Sequence, residues 1–477
     1  MLRRALSPVL RRTQQGTLLG RRGAAAAAAL EYVEFNTLFW TSAIQDPAGF
    51  VGSGVDADGK TVPFPLPSRT MPSPRFDSSF VPFYGQSLAV GSSGYPALST
   101  EDSLTDEMWV QGMRPEDDYP TGNASTWYAS VVPAKEAVSP RYATQGETPA
   151  RGFADAFRGL VTDYYGASVL SSIKKFMLSA PGQGGIEIIK LLKGDVSGYY
   201  ARILAQMSAL AALKSGSETV GMEVLPFIHG ERDYLLATTK ANYKTRLATL
   251  CADIDADAKT QFGQTSDVQV IGTQVASHIG NANQVEAQIA IAQAESFDEV
   301  ANYHLACPMY FLPFKGTAVH LSATGYIWMG AYIAHAHKVV NVDRTALTIV
   351  KPVSYSAAGS TVEITYSLPT VDGITNGLVW DTTTVAAQPN YGFRLFDSGG
   401  TPQTISSVAI TAPNRVTITA ASPIAAGSYV DYARQGDTVK GLGNLRDNAG
   451  SVIRAQVLNH DFPLHNWALI SVSGALL

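Results

Sequence analysis

Four short blocks of this 477-residue chain combine a nucleophile, a base and glycine-rich turns. They are Gly85-Gln86-Ser87-Leu88-Ala89, Gly182-Gln183-Gly184-Gly185-Ile186, Ile228-His229-Gly230-Glu231-Arg232-Asp233 and Val319-His320-Leu321-Ser322-Ala323-Thr324-Gly325. A serine at the tip of a tight turn attacks a carbonyl carbon when a histidine takes its proton. The negative charge that then forms needs N–H donors already in place. Read singly, each block is more simply a turn or a cap. Ser87 lies in a glycine turn, and Gly182-Gln183-Gly184-Gly185 lacks the Lys-Ser/Thr of a phosphate loop. His229-Gly230-Glu231 reads as a surface turn, and His320 as a residue before a helix. Read in chain order, they supply Ser87, a close-approach glycine loop, His229 with Glu231, and His320.

The elements that must position these blocks are legible. "FVPFY" (80–84), "KFMLSA" (175–180), "MEVLPFI" (222–228) and "VQVIG" (268–272) are short apolar runs of the kind found in buried parallel strands. Helical spacing occupies 198–216, 233–259, 283–296 and 323–337, the first ending at Gly216. Strand–helix alternation from about 79 to 340 implies an α/β domain with a mainly parallel sheet, whose ligands sit at the carboxyl ends of its strands. Residues 131–152 lack core periodicity and read as an excursion over those ends.

The order Ser87, Gly185, His229/Glu231, His320 resembles that of the SGNH hydrolases, in particular their sialate O-acetylesterase-like carbohydrate-esterase branch. That branch carries G-Q-S-N, G-G-T-S, Q-G-E-S-D and D-x-x-H-L-S-x-x-G. This chain carries GQSL, GGIE, HGERD and TAVHLSATG, over about 80–337. The resemblance implies a three-layer α/β/α sandwich and hydrolysis of carbohydrate O-acetyl esters without a cofactor or metal. Ser87 would be the nucleophile and His320 the base. The oxyanion hole would be formed by the amides of Ser87 and Gly185 and the side chain of His229. Three departures stand out. The acid three residues before the histidine is Thr317, the asparagine after the serine is Leu88, and the glutamine donor is His229. Glu231 is the candidate to support His320; a Ser–His dyad or a backbone carbonyl on the histidine are the alternatives.

After residue 340 the texture changes to short alternating strands punctuated by Gly, Pro, Asp and Asn, in 360–369, 390–400, 414–423 and 427–433. This is the pattern of an all-β sandwich and resembles Ig-like modules. Residues 1–30 carry three arginine pairs and no acid, and 31–78 show little periodicity. The start at Met1 favours a basic anchoring arm ordered by neighbouring subunits; an arm folded back on its own chain is the alternative. Arm, esterase-like domain and trailing β domain together resemble virion proteins of tailed bacteriophages. The expectation is therefore a homo-oligomeric virion fibre, spike or decoration protein. Its partners would be other virion proteins and host surface polysaccharide. A catalytically inactive structural protein and a secreted carbohydrate acetylesterase are the alternatives.

A net charge of -5 gives no argument for nucleic acid, two cysteines make no disulfide framework, and no apolar run reaches membrane-spanning length. His335 and His337 lie two apart on a helix and make a poor metal pair. His278 reads as a core or turn histidine, and Cys251 as packed core. Asn123-Ala124-Ser125 is a glycosylation sequon by pattern only.

Overall fold

The computed structural model describes residues 69–282, 286–316 and 319–477, together with strands β1 (Phe39–Asp46), β2 (Gly49–Val55) and β3 (Thr61–Phe64). The expected basic arm, 1–30, lies outside the described residues, as does Thr317. β1, β2 and β3 form an antiparallel sheet with Asp46 opposite Gly49. Regular structure thus occupies part of a segment whose sequence reads as irregular. Its strands lack the strict apolar alternation by which a half-buried strand is recognised. This sheet belongs to one compact unit. Pro72–Asp163 and Val169–Leu477 form a second.

In the second unit a parallel sheet is built around a single interrupted strand. β4 (Ser78–Pro82) pairs in parallel with β8 (Lys175–Ser179) and β9 (Val220–Gly221). After Phe83 the chain continues as β5 (Tyr84–Gly85), which pairs with β10 (Val224–Ile228). Beyond β10 follow β11 (Gln269–Gln274) and β12 (Tyr303–Pro308), all parallel. β6 (Glu107–Trp109) runs parallel to β8, and β7 (Val131–Pro133) closes that edge antiparallel to β6. The central strands are buried along their length, as apolar runs without alternation require.

The helices are α1 (Pro149–Tyr165), α2 (Tyr199–Lys214), α3 (Glu231–Leu235), α4 (Lys240–Phe262), α5 (Gln288–Glu299) and α6 (Ala323–His337). The single helix expected over 233–259 is two. Ala237 takes φ +51 and Thr239 caps α4 by accepting from the Asn242 N–H, so the chain restarts there. α1 and α6 meet at glycines. A Cβ at Gly152 would stand 2.6 Å from the Ile327 backbone, and one at Gly330 would stand 2.3 Å from the Pro149 carbonyl. Part of the expected 131–152 excursion is core: Glu136, Glu147 and Thr148 are buried.

The trailing part forms separate antiparallel sheets. β13 (Pro352–Ala358), β14 (Thr361–Tyr366), β19 (Arg415–Ala420) and β18 (Ile405–Ala412) make one; β17 (Pro402–Gln403), β16 (Phe393–Phe396), β20 (Tyr429–Tyr432) and β24 (Ser471–Val472) make another; β15 (Leu378–Trp380) pairs with β21 (Leu445–Asp447), and β22 (Arg454–Val457) with β23 (His460–Pro463). These sheets pack into the same unit as the parallel sheet. The Gln274 amide bridges the backbone of Ile470, donating to its carbonyl (2.9 Å) and accepting from its N–H (2.8 Å). Phe311 stacks on Trp467, and the Tyr310 hydroxyl donates to the Ala468 carbonyl at 2.8 Å. The loop between β20 and Leu445 reaches the site side of the sheet. There Gly441 N–H donates to Ala276 O (3.1 Å), Gly280 N–H to Val439 O (2.8 Å) and Lys440 Nζ to Leu312 O (3.3 Å).

Candidate active site

The turn that carries Ser87 is dictated by Gly85. Its φ is +132, and a Cβ there would lie 2.0 Å from the Ile228 carbonyl, so only glycine allows β5 to end against β10. Gln86 N–H donates to the same carbonyl at 3.0 Å. The turn then closes on itself through Ala89 N–H to Gln86 O (2.8 Å) and Ser92 N–H to Ser87 O (3.0 Å). Leu88, where the resemblance expects asparagine, is fully buried and anchors the turn in the core. Ser87 Oγ projects to His320 Nε2 at 2.9 Å.

The second block lies beside this turn. Gln183 N–H donates to Gly85 O (3.0 Å), and a Cβ at Gly182 would come within 2.9 Å of that oxygen. A side chain at Gly184 would approach Ser87 Cβ at 3.9 Å, and Gly185 holds φ +71. Among the described residues, the N–H groups of Ser87, Gly184 and Gly185 donate to no protein acceptor. Arg202 of α2 fastens the loop through Gly182 O (3.2 Å) and Gln183 Oε1 (3.0 Å).

The third block works from below. His229 is buried, and both of its ring nitrogens are occupied. Nε2 lies 2.9 Å from the Ile186 carbonyl, to which it must donate, and Nδ1 lies 3.2 Å from the Tyr243 hydroxyl. That arrangement leaves the ring no N–H for an oxyanion, the role expected of it. It fixes the position of the Gly184–Gly185 loop instead. Burial pushes the imidazole pKa down, against the pull of Asp233. The Asp233 carboxylate accepts from Ile188 N–H at 2.9 Å, a second tie to the same loop.

Glu231 does not meet His320 in any hydrogen bond between described residues. It accepts from Gln86 Nε2 at 2.7 Å, with Ser277 close by, while Gln86 Oε1 accepts from Arg232 N–H at 3.2 Å. Fully buried, its carboxyl is pushed up to about 7. The expected support for His320 is thus a strut beneath the Ser87 turn.

His320 lies just before α6. Ser322 caps that helix by accepting from Gly325 N–H (3.2 Å), and Gly325 must be glycine because a Cβ would stand 2.5 Å from Pro313 O. The His-Leu-Ser-x-x-Gly spacing is therefore a capped helix start that presents the histidine. Burial lowers the His320 pKa. Its Nδ1 lies 3.4 Å from Ser93 Oγ. Ser93, Gln86 and Arg202 received no role from sequence reasoning. Ser93 sits in the Gly-Ser-Ser-Gly run six residues after Ser87, but nothing in that run distinguishes it from an ordinary turn serine.

The remaining candidates are placed elsewhere. His337 lies among Phe153, Phe157 and Phe176, and accepts from Asn341 Nδ2 at 2.9 Å. His278 Nε2 donates to Arg434 O at 3.0 Å. Cys251 and Cys307 are buried free thiols. Asn123 is exposed and caps a short helix by accepting from Ser125 N–H. Among the described residues, no group of three His, Cys, Asp or Glu side chains is arranged to hold a metal, and no helix is long and apolar enough to cross a membrane.

With this geometry in hand, the fold can be placed. The chain shares its fold with a carbohydrate acetylesterase from Xanthomonas citri. The TM-score is 0.52 at 12% identity, covering 91% of this chain and 94% of that one. Weaker likenesses are to NanS (TM-score 0.34, 12% identity, 49% of this chain and 78% of that one) and to an aryl esterase of M. smegmatis (0.29, 11%, 55% and 98%). No protein-family model and no curated protein matches the sequence. The protein thus has an α/β fold with a parallel sheet, followed by antiparallel β sheets, shared with the Xanthomonas citri structure.

Proposed function

We propose that this protein is a carbohydrate O-acetylesterase working through Ser87 and His320. The observation that carries the proposal is the 2.9 Å contact between Ser87 Oγ and His320 Nε2 at the carboxyl end of β5. His320 takes the hydroxyl proton as Oγ bonds to the acyl carbon. The proton is then given to the departing sugar oxygen, and water, deprotonated by the same histidine, releases acetate and frees Ser87. The oxyanion is held by the N–H groups of Ser87 and Gly185, with Gly184 beside them. His229 and Asp233 hold that loop rather than the substrate.

The acetylesterase reading requires no virion. Of the settings weighed from the sequence, a secreted acetylesterase agrees best with the fold likeness. The test is hydrolysis of an aryl acetate and of an O-acetylated polysaccharide by the purified protein, beside Ser87→Ala and His320→Ala. Loss of turnover in both variants supports the reading. Turnover unchanged in Ser87→Ala would sink it, and a folded protein inert on both substrates would leave an adsorption or structural role.

A further inference from the structure

We infer that Ser93 is the positioning residue for His320, its hydroxyl accepting the Nδ1 proton and so fixing the tautomer that leaves Nε2 free to take the Ser87 proton. The inference rests on the acetylesterase reading and deepens it. Nε2 faces Ser87 Oγ at 2.9 Å, so the neutral imidazole that can act as base carries its proton on Nδ1. Among the described residues the partner of that nitrogen is Ser93 Oγ, at 3.4 Å.

The backbone around Ser93 is built to hold it there. Ser93 itself takes φ +64, which non-glycine residues adopt rarely and at a cost. The glycines on either side of the serine pair cannot be replaced without collision. A Cβ at Gly91 would stand 2.3 Å, and one at Gly94 2.5 Å, from the Glu147 carbonyl. The Glu147 carboxylate then pins the next stretch, accepting from the N–H groups of Leu98 (2.7 Å) and Ser99 (2.9 Å). Toward the nucleophile the loop is tied by Ser92 N–H to Ser87 O at 3.0 Å. Toward the histidine it is tied by the Tyr326 hydroxyl, which donates to Ser92 O at 2.6 Å from the first turn of α6, the helix that presents His320. One strained residue is thus registered against both members of the Ser–His pair.

Among the described residues, the charged side chains near this contact have other partners. Lys315 donates its N–H to His320 O, but its ammonium turns to the carbonyl and ring of Tyr95. Glu231 is engaged by Gln86, and Glu147 by Leu98 and Ser99. The orienting group is therefore a neutral hydroxyl in the place where a carboxylate would favour imidazolium.

The test compares the full chain with Ser93→Ala and Ser93→Asp. Aspartate tolerates the left-handed backbone region better than serine, so that variant respects the local conformation. The readouts are the pH–rate profile on an aryl acetate and the titration of His320 followed by imidazole 15N NMR. Ser93→Ala is expected to lower kcat about five- to tenfold with little change in KM. Ser93→Asp is expected to raise the His320 midpoint by about one to two units, the pH–rate profile moving with it. A His320 titration unmoved in Ser93→Asp overturns the inference whether or not the protein hydrolyses esters. Destabilisation with an unchanged pH profile does the same, since it shows a purely structural serine. A shifted titration in a protein without turnover upholds the contact and fells the esterase reading alone.

Discussion

Glu231→Gln separates the cost of a buried carboxyl from the support it gives. In the folded protein the group is pushed from 4.5 to about 7, chiefly by burial. The folded state therefore holds a proton that the unfolded chain releases near pH 4.5. Between those two values the folded protein binds more protons than the unfolded one, so its stability falls as pH rises. Two and a half units at about 1.4 kcal/mol each bound the effect at roughly 3 kcal/mol, of which about 2 kcal/mol is lost between about pH 5 and pH 7.5. Glutamine cannot ionise and still offers an oxygen to Gln86 Nε2, the contact at 2.7 Å. Urea unfolding at those two pH values, on wild type and variant, measures the difference. The variant should gain about 2 kcal/mol on the wild type at the higher pH relative to the lower. Other titrating groups cancel in the comparison. An equal gap between the two proteins at both pH values would refute the reasoning and show Glu231 ionised at little cost.

Two further outcomes follow from the geometry. Hydrolysis should rise with pH, with a midpoint below the ordinary histidine value of 6.5, because burial disfavours the charged form of His320; a kcat/KM profile with its midpoint above about 7 contradicts this. Gln274→Ala removes hydrogen bonds to Ile470 N–H, Ile470 O and Ala290 O. It should cost about 3 kcal/mol in denaturant unfolding, and a loss under about 1 kcal/mol would show that water replaces the amide there.

The parts of the fold governed by local pattern were readable. The apolar runs at 80–84, 175–180, 222–228 and 268–272 became β4/β5, β8, β10 and β11, and the helix at 323–337 is α6. β12 escaped because Tyr303-His304-Leu305-Ala306-Cys307-Pro308 interrupts its apolar run with a histidine, which bonds the Gln269 side chain at 2.7 Å. In the site, glycines that must be glycine and a capped helix start left sequence signatures, so Ser87, Gly185 and His320 could be placed at strand and helix ends. The partners of Glu231 and His229 could not be read. Whether Glu231 faces His320 or Gln86 depends on packing between segments 145 residues apart. A histidine aligned with a donor position gives no sign in sequence of where its nitrogens will turn. Ser93 shows the same limit, since no motif distinguishes a serine beside a turn from one that touches a base.

The β20–Leu445 loop bears on how such a protein can be rebuilt by recombination. Its backbone is bonded to Ala276 and Gly280, on either side of the segment holding Ser277, and Lys440 reaches the carbonyl of Leu312 ahead of His320. A tail joined only by a linker can be exchanged between genes at its boundary without touching the catalytic machinery. Here a cut near residue 340 would remove a wall of the site's own scaffold and uncover Phe311 and Tyr310, which Trp467 and Ala468 now cover. Head and tail must therefore be inherited together, and a swapped tail would have to reproduce one loop's backbone before it contributed any binding surface of its own.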